Sequence, residues 1–165
     1  QFQIEDSASF VSPVSPFPFC TTFAEVEVDI KTGIVRPLKV VTAMDCGNVL
    51  NPKLAEGQVE GAVLNGISFS LCEEYLFDEK GRMKNPNFWD YKVYKTTDLP
   101  EIVTILVPSF EEYGPYGAKS VGEVAINTPG PAIANAIYDA VGVRIYNLPM
   151  TPERVLKAIK EKGIG

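Results

Sequence analysis

Residues 114–123 are the part of the sequence whose residue types are best suited to chemistry. Three glycines, one lysine and one carboxylate fall within these ten residues, Gly-Pro-Tyr-Gly-Ala-Lys-Ser-Val-Gly-Glu. Glycine lets backbone N–H groups approach a ligand closely, and a helix that starts after such a loop favours anionic groups. The spacing fits neither a Walker loop nor a dinucleotide-binding glycine motif. Two interpretations stay open: a ligand-binding loop, or a packed connecting loop in which Glu123 is an ordinary partner of a helix dipole.

The composition excludes several kinds of catalytic site. The chain has 165 residues, 45% of them hydrophobic, which is enough for one domain with a core. It contains no histidine, so it holds no Ser-His-Asp or Cys-His catalytic unit and no histidine-based zinc or iron site. A net charge of −6 without a basic cluster argues against nucleic acid as the main partner.

Three cysteines, Cys20, Cys46 and Cys72, are too far apart in sequence to resemble a metal-binding Cys-x-x-Cys pair. The odd number favours free thiols in a reducing cytoplasm over a disulfide framework. No apolar run is long enough to predict a transmembrane helix. Because the sequence starts with Gln1 and has no signal-peptide pattern, we expect a chain cut from a longer one.

The first part of the chain predicts an irregular segment followed by a β-hairpin. Residues 1–19 are rich in serine and proline, which is typical of a linker or an irregular lead into a domain. Acidic and apolar side chains alternate over residues 22–30, as in a half-buried strand. A Lys-Thr-Gly turn and a second β-rich run, residues 34–45, complete the hairpin.

Residues 53–75 predict the longest helix, with Pro52 suited to its first turn. The helix contains Gly57, Gly61 and Gly66, and each costs about 1 kcal/mol relative to alanine in a helix interior. Three such penalties predict a close backbone approach by another element or by a ligand.

The rest of the chain predicts a mixture of strands and helices without regular alternation. The expected elements are an ordered loop over 85–100, a strand over 102–107, a helix over 131–141, a short strand over 143–146, and a last helix from Pro152 to about residue 162. This pattern favours an α+β fold with mixed sheets that include the hairpin, one long glycine-containing helix and two C-terminal helices.

The glycine-rich stretch resembles a motif of a known family. Residues 117–123, Gly-Ala-Lys-Ser-Val-Gly-Glu, are similar to the C-terminal motif of the molybdenum hydroxylases, the xanthine dehydrogenase and aldehyde oxidoreductase family. Further stretches agree in the family's order: residues 25–33, residues 44–47 with Asn51-Pro52, residues 57–62, and residues 131–153. The resemblance covers residues 17–159, and such ordered agreement is far more specific than one glycine pattern.

The resemblance implies a molybdenum centre held by a pterin, as molybdopterin or its cytosine dinucleotide form, rather than by side chains. Such an enzyme uses water to hydroxylate an electron-poor carbon of a heteroaromatic ring or an aldehyde. Glu123 matches the family's general base. Gln58 and Gly122 match positions near the metal and pterin, with Gly57 and Gly61 allowing close approach beside Gln58. Lys119 matches the motif's lysine, for which a salt-bridge or surface role stays open beside cofactor contact.

The resemblance also implies a place in a larger enzyme. Residues 20–165 would be the C-terminal cofactor-binding domain of the molybdenum subunit, inactive alone. Its partners would be the remainder of that subunit and iron–sulfur and FAD-containing flavin domains or subunits. A purine-like substrate such as xanthine is expected, yet Val124-Ala125 replaces the Pro-Pro of many members, which leaves aldehydes and other N-heterocycles open. A non-catalytic binding or assembly module and an unrelated acidic interaction domain are the other classes.

Overall fold

In a computed structural model, the structure describes residues 3–164, which form one sheet and three α-helices. The strands are β1 (Phe19–Val28), β2 (Val35–Asp45) and β3 (Glu101–Leu106), and the helices are α1 (Pro52–Leu71), α2 (Pro129–Val141) and α3 (Pro152–Glu161). The predicted α+β class is confirmed. No helix within residues 3–164 is both long and apolar enough to cross a membrane.

The predicted hairpin is formed by β1 and β2, which pair antiparallel with one register shift between Glu25 and Val26. The Asp29 carboxylate closes the turn by accepting hydrogen bonds from the Lys31 amide at 2.9 Å and the Thr32 hydroxyl at 2.8 Å. Gly33 adopts a φ of 77°, a backbone conformation that glycine tolerates best. The alternating pattern and the turn residues therefore determine this part of the sheet locally.

Strand β3 pairs with β2 in parallel, so the sheet order is β1-β2-β3. Met44 lies opposite Leu106, and the Val107 amide donates to the Met44 carbonyl at 2.9 Å. Because the two strands run in the same direction, the segments that follow them leave the sheet at the same edge. This edge is where the glycine-rich stretch is placed.

Helix α1 begins with Pro52, and the Asn51 side chain accepts a hydrogen bond from the Leu54 amide at 3.2 Å. Its buried side packs against the inner face of the sheet and against α2. The fully buried side chains of this core come from β2 and all three helices: Val40, Met44, Val59, Val63, Ile67, Ile133, Ile137, Val155 and Ile159. The core therefore holds α1 at a fixed position relative to the sheet edge.

The two C-terminal helices are present, with α2 starting two residues earlier than predicted and ending before Gly142, whose φ is 66°. The Thr151 hydroxyl caps α3 by accepting from the Arg154 amide at 3.5 Å. The predicted strand over 143–146 is wrong, because this segment is irregular. Val143 is buried in the core while Arg144 binds back to α2, so the segment follows the helix surface instead of pairing with a strand.

Residues 3–18 contain neither a helix nor a strand. The division into a segment over 1–19 and a domain over 20–165 stays a prediction, and residues 1, 2 and 165 lie outside the described residues.

Candidate active site

A cleft of about 440 Å³ lies between the first half of α1 and residues 114–123, here called the glycine loop. Its apolar lining comes from the segment before α1, from α1 and from the glycine loop: Val49, Leu50, Leu54, Ala55, Ala118 and Val121. Gln58, Gly122 and Lys119, three of the residues singled out from the sequence, line the same cleft. A concave, mostly apolar site with a few polar groups is typical of small-molecule and cofactor binding.

The Gln58 side chain joins α1 to the glycine loop. Its Nε2 donates a hydrogen bond to the Gly122 carbonyl oxygen at 3.0 Å, although the two residues are 64 positions apart in sequence. Gln58 is exposed, and its Oε1 makes no hydrogen bond within the described part of the chain. The amide therefore keeps an acceptor for a ligand while it holds the loop that leads into Glu123.

Glu123 follows directly on the cleft-lining Gly122 and is exposed. Its carboxylate makes neither a hydrogen bond nor an ion pair with any residue between 3 and 164. It precedes a single 3-10 turn, Val124–Ile126, which it does not cap with its side chain, and α2 starts only at Pro129. The geometry therefore does not make Glu123 a helix-capping residue, and its carboxylate is available for chemistry.

The three glycines of α1 have different surroundings. A Cβ atom at Gly66 would lie 2.6 Å from the Ile126 carbonyl oxygen and 2.7 Å from Pro129, so another element of the chain explains this glycine. At Gly57 and Gly61 an added Cβ would meet no described atom within 4 Å, and the same is true at Gly122. The expected close approach at Gly57 and Gly61 is therefore not made by the described residues of this chain.

The Lys119 side chain is held by a half-buried carboxylate. Its Nζ lies 2.6 Å from Asp45 Oδ2, and the two side chains are 8% and 19% exposed. Asp45 Oδ1 also accepts from the Ser109 hydroxyl at 2.6 Å and from the Gly47 amide at 3.0 Å. Burial alone would raise the pKa of Asp45, but these three hydrogen bonds and the Lys119 charge outweigh it and lower the pKa to about 2.

Backbone contacts attach the glycine loop to the segment after β2. Gly47 and Ala118 form an antiparallel bridge, the Lys119 amide donates to the Cys46 carbonyl at 2.7 Å, and the Asn48 amide donates to the Gly117 carbonyl at 2.7 Å. Gly47 has a φ of 75°, and a Cβ there would lie 2.5 Å from the Gly117 oxygen. The close contact therefore requires glycine at this position.

Asp45 and Ser109 are the site residues that the sequence did not identify. Asp45 stands in a stretch that resembles the family, and Ser109 lies just beyond β3. A lysine next to a buried segment needs a carboxylate partner, and the parallel pairing of β2 with β3 identifies that partner because it brings both strand ends together. The sequence analysis does not predict this pairing, so it could not find Asp45 or Ser109.

Comparisons with known proteins show which family the chain resembles. The pattern of the molybdopterin cofactor-binding domain matches residues 2–100. The probable hypoxanthine oxidase XdhD of Escherichia coli K12 is 39% identical over 94% of this chain and 16% of its own length. The putative xanthine dehydrogenase molybdenum-binding subunit XdhA of the same strain is 38% identical over 98% of this chain and 22% of its own length.

Comparison of the fold with solved structures indicates the same family. The aldehyde oxidoreductase from Desulfovibrio gigas superposes with a TM-score of 0.80 at 32% identity, covering 87% of this chain and 15% of that one. The chain thus spans between 15% and 22% of the length of these proteins. It belongs to the molybdopterin cofactor-binding domain family, in the group of xanthine dehydrogenase and aldehyde oxidoreductase molybdenum-binding subunits.

Proposed function

We propose that this chain supplies the general base and part of the cofactor-binding wall of a molybdenum hydroxylase that uses water to hydroxylate a purine-like ring. One observation supports the proposal: the Gln58–Gly122 hydrogen bond, 3.0 Å long, holds the residue before Glu123 in the wall of the cleft. Glu123 has no partner among the described residues, so its carboxylate is free to accept a proton.

The cleft suits a pterin in shape and in polar groups. Its walls are apolar, Gln58 offers an amide oxygen, and the open position at Gly122 leaves room beside the backbone. An amide group matches the amide-like edge of a pterin ring, which both donates and accepts hydrogen bonds. Gln58 and Gly122 are the residues that we propose hold the cofactor, as molybdopterin or its cytosine dinucleotide form, and Lys119 contributes to the same wall through its place in the glycine loop.

The role of Glu123 follows from the chemistry of hydroxylation. When a C–H bond becomes a C–OH bond with oxygen from water, two electrons and two protons leave the reactants. The molybdenum–pterin group, when bound, supplies the two-electron redox chemistry. Glu123 takes up a proton from the oxygen that attacks carbon, a role that a positioned carboxylate performs well. Gln58 keeps the preceding residue of the loop against α1 while this occurs.

The substrate class rests on the relatives. The names of the two Escherichia coli proteins contain hypoxanthine and xanthine, which favours a purine as the substrate. An aldehyde or another N-heterocycle is the second candidate, because the Desulfovibrio gigas aldehyde oxidoreductase has the same fold in this region with a TM-score of 0.80. Val124-Ala125, which directly follow Glu123, are the residues here that differ from many members of the family.

The partners follow from the electron balance and from the chain's length. Because the chain spans about a fifth of its relatives, we propose that the remainder of a molybdenum subunit completes the cleft. Iron–sulfur and flavin (FAD) domains or subunits would carry the two electrons away. The cysteines Cys20, Cys46 and Cys72 are free thiols, which agrees with the reducing cytoplasm as the proposed location.

The experiment is a Glu123→Gln substitution in the complete, cofactor-loaded enzyme that contains this chain. Turnover is measured with xanthine, hypoxanthine and benzaldehyde, and molybdenum content is measured by elemental analysis. The variant should lose at least about 100-fold in kcat because the base is missing. Its molybdenum content should equal that of the wild type, because the carboxylate has no structural partner among residues 3–164.

The matched control is Glu112→Gln, since Glu112 is an exposed carboxylate near the start of the same loop and does not line the cleft. This variant should turn over at the wild-type rate. Near-normal turnover of the Glu123→Gln variant with a full molybdenum content would disprove the proposed role of Glu123.

A further inference from the structure

The glycine loop does not hold itself in place by its own secondary structure. Its regular part is one 3-10 turn, Pro115–Gly117, in which Tyr116 has a positive φ of 55°. The segment from there to Glu123 has no helix or strand. Its position must therefore come from contacts with other parts of the molecule.

Lys119 is the residue of the loop that is attached through both its backbone and its side chain. Its amide donates to the Cys46 carbonyl at 2.7 Å, and its Nζ reaches Asp45 at 2.6 Å. The ammonium group also lies 5.4 Å from the centre of the Phe19 ring, on the neighbouring strand. The backbone and side chain of one residue thus bind to the end of β2, where the ammonium group is paired with the Asp45 carboxylate.

Asp45 has further hydrogen-bond partners besides Lys119. The Ser109 hydroxyl, which follows β3, and the Gly47 amide both donate to its second oxygen. The carboxylate therefore connects three segments: the end of β2, the residues after β3, and the glycine loop. A half-buried carboxylate with this many donors has one preferred orientation.

The attachment at Lys119 is close enough to determine where Glu123 lies. Only Ser120 and Val121 separate Lys119 from Gly122, whose carbonyl is bound by Gln58 at 3.0 Å. Beyond Glu123, the chain is fixed again by Ala125, which is fully buried. Release of Lys119 would remove one of the supports on the N-terminal side of Glu123.

We propose that the Asp45–Lys119 ion pair, braced by Ser109, is a positioning device that fixes the glycine loop so that Glu123 stays beside the cleft. Asp45 and Lys119 are positioning residues, and Lys119 serves the cleft through its place in the loop rather than through its charge. The inference rests on the proposed role of Glu123 for its catalytic consequence, but the fixing of the loop can be tested separately.

The first test measures hydrogen exchange in the 165-residue chain for wild type, Asp45→Asn, Lys119→Met and the double variant. In each variant, the amides of Asn48 and Lys119, which bridge the loop to β2, should exchange about tenfold faster than in wild type. Amides in the centres of β1 and β2 should keep their protection. The double variant should resemble each single variant, because both substitutions break the same contact.

Asp45→Glu is the conservative variant that separates charge from packing. It keeps a carboxylate within reach of Lys119, so loop protection should recover most of the way to wild type. Unchanged exchange at Asn48 and Lys119 in the Asp45→Asn variant would overturn the proposal. Equal loss of protection in the loop and in the strand centres would overturn it as well, because that result means a general loss of stability.

The second test measures turnover in the complete enzyme with xanthine, hypoxanthine and benzaldehyde. The Asp45→Asn variant should lose about 100-fold in kcat with little change in KM, since substrate binding is kept while the base is misplaced. Asp45→Glu should restore most of the loss. If Lys119 instead binds the cofactor through its charge, Lys119→Met will lower the molybdenum content while Asp45→Asn will not, and the proposal is wrong.

The two proposals fail in different ways. If Glu123→Gln stays active while exchange in the loop responds as expected, the assignment of the base fails and the ion pair keeps its role in fixing the loop. If Glu123→Gln is inactive but Asp45→Asn changes neither exchange nor kcat, the positioning device fails alone.

Discussion

The Asp45 carboxylate should make the stability of this protein depend on pH in a window that the structure defines. In the folded chain its pKa is lowered to about 2, because the hydrogen bonds from Lys119, Ser109 and Gly47 outweigh the effect of burial. In the unfolded chain these donors are lost, and the group returns to its ordinary value of 3.8. Folding therefore favours the ionised form of Asp45.

The size of the effect follows from the two pKa values. A tenfold difference in proton affinity is worth about 1.4 kcal/mol, so the difference between 3.8 and about 2 corresponds to about 2 kcal/mol. Because the pKa is depressed on folding, this stabilisation is complete above the unfolded value. It is lost as the pH falls from 3.8 through the folded value, and protonation then leaves Lys119 without its counter-charge.

The assay is urea unfolding of wild type and Asp45→Asn at a series of pH values from about 5 down to about 2. Asp29 and Glu153 also have lowered pKa values. The largest cause is a backbone hydrogen bond in both cases, from the Lys31 amide to Asp29 and from the Glu153 amide to its own carboxylate. Both groups are present in both proteins, so their contributions cancel in the difference. Over this range the wild type should lose about 2 kcal/mol more unfolding free energy than the variant.

Two parallel curves of unfolding free energy against pH would refute the reasoning, because the Asp45 carboxylate would then have the same proton affinity in the folded and unfolded chains. The Lys119→Met variant gives a second check. It removes the strongest donor to Asp45, so its pH dependence should be shallower than that of wild type, and an unchanged slope would contradict the ion pair.

Two further expectations concern α1 and α3. Gly61→Ala should raise the unfolding free energy of the chain by about 1 kcal/mol in urea titrations, because a Cβ meets no described atom there. The same variant should lower the molybdenum content of the complete enzyme if the cofactor lies against this face of α1. Gly66→Ala, the matched variant, should destabilise the chain because its Cβ overlaps Ile126 and Pro129, and a stable Gly66→Ala protein would contradict the packing. Thr151→Ala should cost about 1 kcal/mol in thermal or urea unfolding, since it removes the cap of α3, and no loss would show that the cap is dispensable.

The parts of the fold that could be predicted are those in which neighbouring residues determine the outcome. The alternation in β1, the turn at Asp29 and the proline starts of α1 and α3 are local signals, and all four elements are present. The supposed strand over 143–146 failed because a short apolar run is compatible with any segment that covers a core. Here the run follows α2 and has no neighbouring strand.

The candidate site could be predicted only in part, for the same reason. Glu123, Gln58, Gly122 and Lys119 were identified from a resemblance, and the structure brings the last three to one cleft, with Glu123 next to it. The contact between Asp45 and Lys119 joins residues 74 positions apart and depends on parallel strand pairing. A partner at that distance leaves no periodic trace in the sequence.

The parallel pairing of β2 with β3 also has a consequence for the order of events during folding. Lys39 and Glu101, which face each other across the two strands, are 62 residues apart, and the intervening chain contains α1. Closure of so long a loop is entropically costly and slow compared with formation of the hairpin. Both walls of the cleft depend on that closure, because one is α1 and the other leaves the sheet beside Ser109. The cleft is therefore complete only after β3 has joined β2, and a chain in which only the hairpin and α1 have formed lacks the wall that the glycine loop provides.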